Sequence, residues 1–191
     1  PTHILFDSYM RAYNIKTQNN GWLKYSLTSP LALKLFCELN QDQTVSLSNR
    51  TEVSMTSLWR KKIEKIEGEY CEKNGRPEKN QYVLRAVVFL SKQFVAAERL
   101  EHSSLVDKLA AELKTATEYA ESLVNYLEEY GVLSCYCEHG MGLAPDTYFY
   151  YPGIQGYFDY ASALHILTQY EHPKDIYFND CKAIQTNTLN S

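Results

Sequence analysis

The densest metal-ligating chemistry in the chain is the run Cys135-x-Cys137-x-His139. Alternate side chains of a β-strand share one face, so two thiols and an imidazole on this spacing could converge on one ion. A structural zinc site takes four ligands, however, and its thiolate pairs are usually separated by two to four residues. Three candidates on a tighter spacing fall short of that. Small cysteines packed into a strand account for the same letters, and no metal centre is expected.

A second chemical cluster is basic. Arg60, Lys61, Lys62 and Lys65 form a stripe that could meet phosphate or an acidic surface. Glu64, Glu67 and Glu69 are interleaved with it, so a solvated, self-balanced helix face is the reading preferred. Nucleotide hydrolysis would need clustered glycines followed by a lysine at fixed offset, and none of the eight glycines is placed that way. There is no pair of histidines four apart with a glutamate between, and no Gly-x-Ser-x-Gly elbow. The chain is not expected to be an enzyme by itself.

The 191 residues provide for one large or two small domains. Hydrophobic residues make up 45% and charged residues 22%, which excludes an intrinsically disordered chain. Sixteen tyrosines are unusual, and an apolar ring with a polar tip suits surfaces that pack and part. No apolar run reaches the length needed to cross a bilayer, and no signal segment opens the chain, so no membrane partner is expected. The chain opens at Pro1 without a methionine, which reads as a piece of a longer polypeptide.

Cys37, Cys71, Cys135, Cys137 and Cys181 are odd in number and scattered, as reduced thiols of a cytoplasmic protein would be. The sequon Asn49-Arg50-Thr51 is then incidental. The net charge of −4 is unevenly spread. Residues 1–100 carry 15 Lys/Arg against 10 Asp/Glu, whereas residues 101–160 carry two Lys/Arg against ten.

The elements that must position these residues follow from periodicity and punctuation. Leu5, Phe6, Tyr9, Met10 and Tyr13 share one helical face. Asn19-Asn20-Gly21 breaks that helix. Ser29-Pro30 has the chemistry of a helix start, with Ser29 as cap and Pro30 in the first turn, and the helix to Leu39 is apolar nearly all round. Residues 40–51 read as a polar loop. A long helix runs from about Ser54 to Lys73 and ends at Asn74-Gly75-Arg76-Pro77, the best internal boundary. The fold class predicted is mainly α: a helical bundle over 1–76, a winged-helix domain over 77–170 with a short β-wing, and a tail or linker over 171–191.

Within the second domain, Val83, Val87, Leu90 and Phe94 mark one helix. A short stretch from Glu98 to His102 precedes a brief helix capped by Ser103 or Ser104. Thr115 and Glu118 have capping-box spacing for a helix from Ala116 to Tyr130, which Gly131 stops. Strands are predicted over 132–138 and 147–151, joined by His139-Gly140-Met141-Gly142, before a last helix from Ile154 to Tyr170. This is the element order of a winged helix. Its third helix would enter a DNA major groove, yet it carries Glu118, Glu121, Glu128 and Glu129 and no Lys or Arg. Duplex DNA binds through counterion release to basic side chains, so an acidic helix should be repelled.

At Leu27-Thr28-Ser29-Pro30-Leu31-Ala32-Leu33-Lys34-Leu35-Phe36-Cys37-Glu38 the sequence resembles the helical region that follows the ATPase core of STAND-class signal-transduction ATPases, the NACHT and apoptotic-ATPase relatives that include bacterial defence proteins. Those proteins place a winged helix next and close it with an aromatic segment similar to Tyr148–Ala161. The resemblance covers about residues 5–168. It implies that Pro30 packs on the adenine of a nucleotide, ATP or ADP with Mg, held by an adjacent ATPase domain of the same chain. Many relatives contact the terminal phosphate through a winged-helix histidine. Here that stretch has none, and Tyr150, Tyr151 and Gln155 stand nearby as the candidate nucleotide contacts.

The expected function is a regulatory, non-catalytic part of such an ATPase, closing over nucleotide and controlling conformational switching and oligomerisation with partner copies. The alternatives are a winged-helix DNA-binding transcriptional regulator and a protein-binding adaptor.

Overall fold

A computed structural model describes residues 2–18, 21–142 and 144–168. Among them are eight α-helices and five short strands, so the fold is mainly α with a small three-stranded sheet. The expected tail over 171–191, with Cys181, lies outside the described residues. The chain forms two compact units divided between Glu72 and Lys73, inside the last turns of a helix.

The first unit contains α1 (Thr2–Ala12), β1 (Lys16–Thr17), α2 (Leu23–Ser26), α3 (Pro30–Leu39), β2 (Thr44–Val45) and most of α4 (Met55–Asn74). As its nearly all-apolar sequence requires, α3 is the buried helix, with Ala32, Leu33, Leu35, Phe36 and Cys37 in the core. Leu58, Trp59, Ile63 and Ile66 supply the inner stripe of α4. α1 is less buried than its apolar face suggests: Met10 is in the core, but Ile4 and Leu5 are exposed.

The polar loop expected over 40–51 is more ordered than its composition implies. β2 pairs in parallel with β1, Lys16 opposite Thr44 and Thr17 opposite Val45. A single 3-10 turn follows over Arg50–Val53. The Asn49 side chain accepts from the Thr51 and Glu52 amides while Glu52 accepts from the Asn49 amide. The two free ends satisfy one another as a capping box. The asparagine of the sequon is thus the cap of that turn.

The second unit holds α5 (Tyr82–Ala96), β3 (Leu100–Glu101), α6 (His102–Leu113), α7 (Thr117–Glu129), β4 (Leu133–Glu138), β5 (Thr147–Pro152) and α8 (Gln155–Thr168). The sheet order is β3-β5-β4, antiparallel throughout. The last strand therefore inserts between the other two. Leu105, Leu109, Leu123, Val124 and Leu127 are buried from α6 and α7, and α8 packs against α5.

Three expected helix caps are corrected. Ser29 is the N-cap of α3, but its side chain makes no capping bond. α6 begins at His102, before Ser103 and Ser104, and the Ser103 hydroxyl donates to the Glu101 carboxylate instead. α7 is preceded by Ala116, not by a Thr115–Glu118 box. Each of these starts is solvent-facing at its cap residue, so water can satisfy the leading amides without a side chain. The stops hold better. Gly75 and Gly131 follow α4 and α7 with φ of +60° and +67°, where a side chain would be strained.

Candidate functional site

Pro30 is the first residue of α3. Ser29 is extended, with φ −77° and ψ 131°, as a residue before proline prefers, and its carbonyl accepts from the Leu33 amide at 3.0 Å. Thr28, Ser29 and Pro30 are all exposed, so the pyrrolidine ring presents a rigid apolar face to solvent.

The three candidates of the aromatic segment lie in different environments. Tyr150 belongs to the central strand, opposite Leu100 on one side and Cys135 on the other, and is 4% exposed. Its hydroxyl donates to Glu128 Oε2 at 3.2 Å, and its ring lies 5.7 Å from that of His102. Tyr151 points to the opposite face of the sheet and is exposed. Gln155 opens α8, also exposed, and its amide donates to Asp159 Oδ1 at 3.0 Å one turn on. The structure therefore takes Tyr150 into the unit and leaves Tyr151 and Gln155 on the surface.

Burial, with the Glu128 carboxylate second, pushes the Tyr150 phenol well above its ordinary value near 10. The sign of the stability effect follows. Above pH 10 the unfolded chain loses this proton while the folded chain keeps it, so folding weakens as pH rises. We expect the urea midpoint to fall between pH 9 and pH 11, and to fall less in Tyr150→Phe. Parallel pH dependences in the two proteins would assign the alkaline loss to other groups.

Three of the four basic side chains of the α4 stripe meet carboxylates locally. Lys62 Nζ lies 2.8 Å from Glu38 Oε2 with its side chain 12% exposed, and Lys65 donates to the Glu38 carbonyl. Arg60 faces Glu64 and Lys65 faces Glu69, each one turn away. Lys62 is thus a tether from α4 to α3 in the first unit and not an open phosphate contact.

The outer face of α7 is acidic as expected. Glu118, Glu121, Glu128 and Glu129 are exposed. All but Glu128 border a shallow polar cleft with Ser122 and Asn125, where Lys73 lies 3.6 Å from Glu129. One lysine against three carboxylates leaves this cleft acidic.

The turn between β4 and β5 brings together a set different from the one the spacing suggested. The ladder ends with Glu138 opposite Thr147, so the next residues, His139 and Asp146, face each other across the turn. His139 Nδ1 lies 3.2 Å from Asp146 Oδ2 and 3.8 Å from Cys137 Sγ. The other oxygen, Asp146 Oδ1, accepts from the Gly140 amide at 3.0 Å. That bond, with His139, holds the Asp146 carboxyl below its usual range. Cys135 stands apart from this group and is linked to Tyr150. The sequence pattern missed Asp146 because a hairpin register, not spacing along one strand, places it there. Gly140 permits the tight return, since a Cβ at that position would collide with the Ala144 carbonyl.

No disulfide joins Cys37, Cys71, Cys135 or Cys137, and among the described residues no helix is long and apolar enough to cross a membrane. Comparison with protein-family models, with curated proteins and with solved structures finds no match for this chain.

Proposed function

We propose that this chain is a regulatory, non-catalytic part of a STAND-class ATPase, a helical module followed by a winged helix that closes over nucleotide bound by an adjacent ATPase domain. The observation that carries this reading is the second unit's order of helix, strand, two helices and two-stranded wing combined with a third helix that bears carboxylates where a DNA reader bears Lys and Arg. A winged helix unsuited to phosphate fits protein-facing work inside a switch better than gene regulation. The exposed Pro30 ring at the start of a buried helix is a fitting contact for adenine in such an arrangement.

The ATP or ADP, its Mg and the catalytic groups would belong to the ATPase domain. Opening would expose surfaces for oligomerisation, and nucleotide would hold the closed form by binding it preferentially. Tyr151 and Gln155, both on the surface, are the remaining candidates to face that nucleotide.

The test is Pro30→Ala, made in this chain and in the longer polypeptide with its ATPase domain. In this chain alone the change removes a pre-set backbone angle at an exposed N1 position and should cost ~1 kcal/mol or less. In the longer polypeptide it should also reduce the rise in melting temperature that ADP produces. An ADP-induced rise identical to that of the parent would leave Pro30 as a helix-start residue and remove the nucleotide role. A coding region with no phosphate-binding loop before this segment would sink the class assignment itself.

A further inference from the structure

We infer that Cys137, His139 and Asp146 form a binding site for one zinc-like divalent cation at the β4–β5 turn, with solvent completing the coordination. Thiolate, imidazole and carboxylate are the three donor types that zinc takes from proteins. Their donor atoms all lie within 4.8 Å of one another.

Two of the three ligand-to-ligand separations fit tetrahedral geometry. With zinc–ligand bonds of about 2.3 Å to sulfur and about 2.0–2.1 Å to nitrogen and oxygen, tetrahedral angles place sulfur and nitrogen about 3.6 Å apart and nitrogen and oxygen about 3.3 Å apart. The observed separations are 3.8 Å for Cys137 Sγ to His139 Nδ1 and 3.2 Å for His139 Nδ1 to Asp146 Oδ2. Binding would release the Cys137 thiol proton and any proton carried on His139 Nδ1, as metal binding generally requires.

The supporting contacts are also in place. The Gly140 amide holds the second oxygen of Asp146 and so fixes the plane of the carboxylate. Tyr148 sits opposite Cys137 in the ladder. Cys137 is anchored in β4, and Asp146 is the residue just before β5, so the strand register sets two of the three ligands. A thiolate and a carboxylate supply two negative charges for a divalent ion. The His139 and Asp146 side chains are 82% and 44% exposed, so the open coordination position faces solvent and the ion can enter without unfolding. Cation binding would clamp the two ends of the turn and stabilise the folded wing by mass action.

The experiment uses the whole chain, reduced and freed of metal, titrated with Co²⁺ and then with Zn²⁺ in competition with a chromophoric chelator. One equivalent of Co²⁺ should give a thiolate-to-cobalt absorption band and the visible bands of a tetrahedral ion, and Zn²⁺ should displace it and raise the melting temperature. Cys137→Ser should abolish the thiolate band, and His139→Ala and Asp146→Asn should each weaken Zn²⁺ about tenfold or more. Cys135→Ser should leave affinity within about twofold, a difference that would reflect neighbouring packing and not a lost ligand. All four side chains can be changed without touching a large core residue, and circular dichroism of each variant confirms its fold. Absence of a thiolate band at saturating Co²⁺ would overturn the site. So would a band that survives Cys137→Ser, or one lost equally in Cys135→Ser.

Discussion

Gly153→Ala should lower the stability of the second unit by ~2–3 kcal/mol, a large effect for one added methyl group. Gly153 follows β5, and its amide donates to the Val132 carbonyl at 2.9 Å, which draws the chain against the end of α7. A Cβ built there would strike the Gly131 carbonyl oxygen and approach Ser134 Oγ at 3.1 Å. The serine can rotate aside. The carbonyl cannot, because Gly131 is itself held at φ +67° by the turn that ends α7. Relief therefore requires that β5 or the turn move and the Gly153–Val132 bond lengthen. A urea titration followed by far-ultraviolet circular dichroism measures the shift. An unchanged midpoint would mean that the backbone at Gly153 and Gly131 separates at no cost, and that their close approach contributes nothing to stability.

Phe158→Ala should cost ~3–5 kcal/mol. Phe158 is 2% exposed, and its ring meets Phe94 edge to face at 5.3 Å with the planes 86° apart. This pair joins α8 to α5. Removal leaves a cavity lined by helices that are otherwise well packed, and an edge-to-face contact is lost as well. Phe158→Leu, which keeps most of the volume but not the ring, should recover more than half of the loss. Thermal melting of the three proteins reads both effects. If alanine and leucine are equally damaging, the ring contact supports α8 and cavity formation is not the source of the loss.

Most of the helices were legible in the sequence for a plain physical reason. Burial of α4 and α7 depends on which residues recur every three or four positions, and that of α3 on its being apolar nearly all round, both local properties of the chain. Leu58, Ile63 and Ile66, or Leu123, Val124 and Leu127, declare their faces without reference to anything distant. Gly75 and Gly131 likewise mark helix ends because only a residue without a side chain adopts left-handed backbone freely. The helix starts were less legible. Ser29, Ser104 and Thr115 have the right chemistry, but exposed amides are satisfied by water as well as by a hydroxyl, so the letter does not compel the bond.

What depends on pairing between distant segments was decided only in three dimensions. β1 and β2 are two residues each, too short to carry an alternating pattern, and exist because Lys16 and Thr17 come to lie beside Thr44 and Val45. Tyr150 and Tyr151 are neighbours with the same side chain, yet the pleat buries one, its hydroxyl reaching Glu128, and sends the other to solvent. The β4–β5 hairpin shows the same division most clearly. The sequence alone determined that Cys137 and His139 stand close together beside a glycine turn. It could not decide that Asp146 would join them while Cys135 would not, because that follows from Glu138 pairing with Thr147, and one residue of slip would send every side chain of the strand to the other face.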